Sequence, residues 1–337
     1  MRLESRRAGS NNVGNQGGNA VEFDTMDSIW KDHGGRSGRV QNRRFVRGAA
    51  TVAICLALCC GFGAAAEDAA ISFVHRQRSL QPGEVILVEA RSRQPLKRLK
   101  IKVFQREFPA YGAEGGRVWT GLVGIGLETR PGSHPIVLTG ESLDGKTLAA
   151  RKVLKVLSKK FAARELAVEP KYVTPPPEVA RRIEEESKRV NAIFAVVTPE
   201  RYWGGSFGRP VPGEVISTFG KRSVFNRQPR SPHSGVDFRG AVGTPIRSPN
   251  GGRVVLASDL YFSGNTVILD HGLGLFSYFG HLSELSVKEG ERVAANTLLG
   301  KVGATGRVTG PHLHWTVRLA GVRVDPLSLI HVLRNSD

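Results

Sequence analysis

Gly310-Pro311-His312-Leu313-His314-Trp315 is the stretch on which the reading of this chain turns. Two histidines two residues apart on a strand project from the same face, about 7 Å from each other. Upstream, Pro232-His233-Ser234-Gly235-Val236-Asp237 supplies a third histidine and a carboxylate, in a Gly-containing segment that can bend both side chains towards one point. Together they offer His, Asp and His, the ligand types of a catalytic zinc that keeps one position open for water. Between them, Tyr278-Phe279-Gly280-His281-Leu282 adds one more histidine. His281 and His312 are then left to move protons or hold charge beside a metal. Spacing alone leaves open two other arrangements: a three-histidine site that uses His312 as a ligand, and a non-catalytic site with four ligands.

The surroundings of these motifs read as β structure. Gly213–Gly220, Gly243-Thr244-Pro245-Ile246, Gly252–Leu256 and Gly264–Asp270 are short apolar runs, nearly all punctuated by glycine, as in small barrels and sandwiches with tight corners. No long helix is predicted from Gly208 onward.

These segments carry a resemblance. His233-x-x-x-Asp237, Tyr278-x-x-His281-Leu282 and Gly310-Pro311-His312-Leu313-His314 resemble the lysostaphin/LytM-type zinc endopeptidases of bacterial cell walls. Phe219-Gly220-Lys221-Arg222, Gly264-Asn265-x-Val267-Ile268-Leu269-Asp270-His271-Gly272, Gly303-Ala304-Thr305-Gly306 and Val324-Asp325-Pro326 look like that family's framework. The likeness covers about 208–330. It implies one zinc per chain held by His233, Asp237 and His314, with His281 and His312 as catalytic histidines. It also implies a small antiparallel β fold with a groove across one sheet, and peptidoglycan peptide bonds as substrate, cut through a metal-activated water. Trp315 and Thr316 stand where many members have Phe and Glu, and Asn296 stands where a turn glycine is usual; Asn tolerates a left-handed backbone. Tyr278 is a candidate hydrogen-bond donor in the groove, His271 belongs to the framework, and His33, His75, His134 and His331 have no motif partners.

Upstream, residues 67–160 read as a β-sandwich-like domain. Glu84–Ala90 follows the turn pair Pro82-Gly83, Leu99–Phe104 alternates as a half-buried strand should, and Leu143–Thr147 has the character of a hairpin turn. No catalytic constellation is found there; spacer, targeting module and gate are all compatible with it. Residues 161–205 form a connector with a helix that starts near Thr174-Pro175-Pro176-Pro177-Glu178 and runs to about Phe194. Its stripe of Val179, Ile183, Val190, Ile193 and Phe194 is expected to dock the two halves together. The metallopeptidase-like block is 206–332, and the whole chain is read as mainly β.

The first 66 residues read differently. Residues 1–42 are rich in Gly, Asn, Ser and Arg and unlike a folded domain; Met26 is an alternative start. Arg43, Arg44 and Arg47 precede an uncharged run from Gly48 that ends at Ala64-Ala65-Ala66, so 43–66 is read as a signal peptide. An uncleaved run would instead anchor the chain to a membrane. All three cysteines (Cys55, Cys59 and Cys60) lie inside it, so a chain cleaved after Ala66 has neither disulfide nor thiolate metal site.

Net charge is +18 over 337 residues. Beyond Ala66 there are 39 Lys/Arg against 25 Asp/Glu, a surplus suited to anionic partners in the envelope or periplasm. Nucleic acid is not expected, since aromatic and basic residues are not interleaved as in single-strand binders. Competing readings are a wall-binding or activator protein without catalysis and a secreted protease for ordinary proteins. The sequence sets no subunit number.

Overall fold

The computed structural model describes residues 70–166, 175–225, 228–229 and 231–334. The stretches read as leader (1–42) and signal peptide (43–66), with His33 and Thr174, lie outside them. No described helix is long and apolar enough to cross a membrane.

The N-terminal half is built from β1 (Ile71–Gln77), β2 (Val85–Ser92), β3 (Leu96–Val103), β4 (Arg106–Ala113), β5 (Val118–Gly124), β6 (Gly132–Ser142) and β7 (Thr147–Val156). They pair in the order β1-β2-β5-β4-β3-β6-β7. Residues 106–109 of β4 pair with β3 and residues 110–113 with β5, so β4 passes from one layer to the other. The alternation read in 99–104 is realised: Leu99, Ile101 and Val103 are buried while Lys100 and Lys102 face solvent. The interior joins Ile71, Ile86, Ile101, Phe108, Ile136 and Leu138. The result is the expected sandwich-like domain.

A short strand, β8 (Ala163–Leu166), follows, and after it helix α1 (Ala180–Ala195), entered through a 3-10 turn at Pro177–Val179. The C-terminal half contains β9 (Val215–Ser217), β10 (Arg222–Phe225), β11 (Gln228–Pro229), β12 (Val236–Arg239), β13 (Pro245–Arg247), β14 (Gly252–Leu260), β15 (Gly264–Gly272), β16 (Leu275–Leu285), β17 (Arg292–Val293), β18 (Leu298–Val302), β19 (His312–Leu319) and β20 (Val322–Val324). A one-residue-capped helix, α2 (Pro326–Leu333), ends it, with the Asp325 carboxylate accepting from the Leu327 amide. The central order is β17-β14-β15-β16-β19-β12-β9, with β20 beside β19.

One face of this sheet is apolar. Leu313, Trp315, Val317, Phe279, Val267 and Phe238 are all fully buried there, and Trp315 lies parallel to Phe279. The opposite face has two ends. At one end Ile268, Phe276 and Tyr278 meet Val190 and Phe194 of α1, with Phe194 edge-on to Phe276 at 5.4 Å. At the other end lie the histidines.

The helix stripe does not dock the two halves. Ile183, Val190 and Phe194 are buried as expected, but α1 lies on the C-terminal sheet, and its Arg182 and Arg189 pair with Asp259 and Glu289 of that same half. The halves meet elsewhere. Asp325 N–H donates to the Gly83 carbonyl at 2.7 Å, and Val85 N–H donates to Ser328 Oγ at 2.9 Å. Arg78 bridges Glu84 and Asp325, and Val322 and Val324 press on Gly124 so closely that a Cβ there would meet Val324 at 2.7 Å. The apolar interior is continuous across this junction.

Candidate metal centre

Strand register assembles the site. In the antiparallel pair β12–β19, Asp237 stands directly opposite His314 and Arg239 opposite His312. On the other side of β19, Gly280 stands opposite His314, so His281 follows at the same level on β16. Because side chains alternate, His312 and His314 share the face that Asp237 also presents. His233 arrives from the segment before β12. Gly235 makes that approach possible: a Cβ there would collide with the Trp315 backbone and Thr316 Oγ1.

The three ligand candidates converge. His233 Nε2 lies 3.0 Å from Asp237 Oδ1 and 3.1 Å from His314 Nδ1, and His314 Nδ1 lies 2.8 Å from Asp237 Oδ1. All three ligand atoms fall within 4.8 Å of one another. The far nitrogens are engaged too: His233 Nδ1 donates to the Thr218 carbonyl at 3.0 Å, and His314 Nε2 meets Thr316 Oγ1 at 2.9 Å. Such outer partners fix which nitrogen carries the proton and leave the inner one free to ligate.

His312 and His281 sit beside this triangle, their rings 4.9 Å apart. His312 Nδ1 donates to the Gly310 carbonyl at 2.8 Å, and its Nε2 lies 3.8 Å from Asp237 Oδ1. His281 Nδ1 donates to the Thr305 carbonyl at 2.9 Å. Its backbone is left-handed, φ 70°, and its amide donates to the Ser263 carbonyl at 2.7 Å. The Tyr278 ring stands edge-on to His314 with centroids 6.4 Å apart.

Electrostatics follow from burial. Removal from water favours the neutral acid at Asp237, yet His233 and His314 outweigh it and hold the carboxyl well below the usual carboxylate range. Burial, reinforced by the neighbouring His312 and His314, pushes His281 down to about 3, so its ring is neutral near pH 7. The side chains of His233, His312 and His314 each retain 14% exposure, so the cluster opens to solvent.

The donor set fits a divalent metal. Two imidazole nitrogens and an ionised carboxylate oxygen point at one another, and the groups that hold Asp237 ionised are imidazoles. A borderline-soft ion with N and O ligands satisfies that charge.

The remaining histidines lie apart. His271 is fully buried, bonded to the Gly251 carbonyl and Ser277 Oγ, and lowered to about 4 by burial, a structural role as expected for the framework segment. His75 contacts Gln77, His134 contacts the Arg130 carbonyl, and His331 lies on α2. Sequence reading missed the outer partners: Thr218, Thr305 and Gly310 act through backbone carbonyls, which no side-chain pattern reveals. Thr316 was visible only as a departure from the usual residue.

A mainly antiparallel β fold with this cluster on one sheet face defines a protein with a candidate metal centre of metallopeptidase type. The chain belongs to peptidase family M23, whose profile matches residues 231–326. A solved structure described as a peptidase M23 from Pseudomonas aeruginosa is 35% identical and covers 75% of this chain and 96% of its own, with a TM-score of 0.59. Peptidoglycan DD-endopeptidase ShyA of Vibrio cholerae is 38% identical over 97 residues, 29% of this chain and 23% of that protein. Cell division protein DipM of Caulobacter vibrioides is 32% identical over 149 residues, 44% of this chain and 23% of that protein. The chain thus matches about a quarter of the length of these two relatives.

Proposed function

We propose that this chain is a zinc endopeptidase of the bacterial envelope that hydrolyses peptide bonds in peptidoglycan stems or cross-bridges. The convergence of His233, Asp237 and His314 within 4.8 Å, with two further histidines at its edge, carries the reading. The DD-endopeptidase relative ShyA supports the substrate class. The activity is assigned to 206–332, with His233, Asp237 and His314 as ligands and His281 and His312 as catalytic groups.

When bound, zinc supplies a Lewis acid that polarises the scissile carbonyl and lowers the pKa of water to near 7. The residues of the chain do the rest. Thr218 and Thr316 orient the two ligand imidazoles, and Asp237 supplies negative charge. His281 and His312 each commit Nδ1–H to a carbonyl, which leaves Nε2 as a proton acceptor in the neutral ring. One of the pair takes the proton of the attacking water at Nε2 and passes it to the leaving amine; the other steadies the oxyanion when its own Nε2 carries a proton.

Purified protein incubated with isolated peptidoglycan tests this. New amino termini, one zinc per chain, and loss of both on chelation are expected. Binding to the wall without new amino termini in the presence of zinc would overturn the enzymatic reading, and cleavage of glycine peptides alone would overturn the wall substrate.

A further inference from the structure

We infer that Phe161, from the start of the connector, and Gly83, from the N-terminal sandwich, are positioning residues for His233; the inference rests on reading His233 as a metal ligand. The backbone around His233 is tied to residues 218–221. The Gly220 amide donates to the His233 carbonyl at 2.8 Å, the His233 amide donates to the Lys221 carbonyl at 2.9 Å, and the ring itself donates to Thr218. Wherever residues 218–221 lie, the His233 ring follows.

That segment is clamped by groups from outside its own sheet. The Phe161 ring covers Gly220, whose φ is 75°, so closely that any Cβ would overlap it. The neighbouring Phe219, 4% exposed, lays its ring on Gly83, whose φ is 93° and whose Cβ would come within 2.6 Å of that ring. The connector thus places an aromatic ring on a glycine of the C-terminal half, and that half places one on a glycine of the sandwich. The strand after Phe161 extends the clamp: Arg222 N–H donates to the Ala162 carbonyl at 2.8 Å, and β8 runs parallel to β10 from Ala163 opposite Arg222. Glu84, next to Gly83, also receives Lys159, whose ammonium sits 5.2 Å over the Phe161 ring.

Both glycines are required by these contacts, since only a residue without Cβ lets a ring lie against the backbone at positive φ. The sandwich and the start of the connector are therefore a brace for the ligand. A cover over the sheet face would act in the opposite sense, and the sign of the effect separates the two.

The test uses the full chain carrying Phe161→Ala. In the metal-free protein, hydrogen exchange at the amides of Gly220 and His233 should accelerate, with β15 and β16 unchanged. Zinc affinity, read by competition with a chelator, should weaken by up to about tenfold, the low end for loss of a direct outer partner of a ligand. Phe161→Leu, which keeps an apolar cap, should lie between the variant and the wild type. Unchanged exchange and affinity, or a higher turnover, would overturn the brace. If Phe161→Ala unfolds the chain, Phe161→Leu decides: faster exchange confined to 218–233 supports the proposal, and none overturns it. Absence of zinc binding in the wild type would instead defeat the ligand assignment, while the exchange result would still decide the brace.

Discussion

Two buried carboxylates, Glu84 of the sandwich and Asp237 of the C-terminal sheet, are neutralised in different ways. Glu84 of the sandwich is 2% exposed and receives Arg78 at 2.8 Å, Lys159 at 3.3 Å and the Ser328 hydroxyl at 2.8 Å. Burial opposes its ionisation, but Arg78 outweighs that and holds the carboxyl below its ordinary value. Asp237 of the C-terminal sheet is also buried, yet the groups that hold it ionised are imidazoles. A guanidinium is charged at every physiological pH and completes Glu84 within the protein. Imidazoles carry no permanent charge, so Asp237 lacks the fixed counter-charge that Glu84 has, which makes a poor interior but a good socket for a cation. The first arrangement glues two halves together; the second waits for something from outside.

The contrast can be broken most severely at the socket. His314→Ala should lower zinc affinity and release of new amino termini by about 100-fold or more, measured by metal competition and by end-group labelling. The melting temperature of the metal-free protein should change little, since His314 is partly solvent-exposed. Thr316→Val keeps the shape of the side chain but removes the acceptor of His314 Nε2. Zinc affinity is expected to weaken about tenfold, with Thr316→Ser close to wild type. The same pair of variants checks whether threonine serves here where related chains carry a carboxylate.

The glue should respond in stability and not in metal binding. Arg78→Ala leaves Glu84 and Asp325 short of their cation. A loss of about 2 kcal/mol is expected by denaturant unfolding, less than for a fully buried pair because the Arg78 side chain is 35% exposed. A smaller effect concerns pH. His271 is held neutral in the fold, about 4 against an ordinary 6.5, so the unfolded chain binds its proton first on acidification. Its contribution is intact above about pH 6.5 and should decline as pH falls towards 4. His271→Asn should make the stability of the metal-free protein less steep over that window.

Much of this was legible in the sequence because the relevant groups are side chains at regular spacing. The period of two in Leu99–Val103 fixes a strand and its buried face, and His312-x-His314 fixes a shared face before any partner strand is known. Asn296 was read as tolerating a left-handed turn, and its φ is 68°. What could not be read is what depends on long-range pairing. Nothing local says that Val190 and Phe194 meet Phe276 and Leu256 and not the sandwich, because an apolar stripe specifies a face and not its partner. The terminal helix was missed although Asp325-Pro326 is a strong start signal, since eight residues of almost continuous apolar character carry little periodicity. The contacts of Phe161 with Gly220 and of Phe219 with Gly83 join positions far apart in the chain, and a glycine shows in sequence only as a turn.

The left-handed backbone of His281 carries a last consequence. Histidine reaches that region only at some expense, of order 1 kcal/mol, and asparagine or glycine would rest there more easily. A drift towards either residue would therefore make the chain sturdier while removing the proton carrier of the proposed reaction. Screens that select for heat resistance alone should be expected to discard this imidazole early, and an M23 chain found with Asn or Gly at this position would be a candidate for a partner that has traded chemistry for endurance.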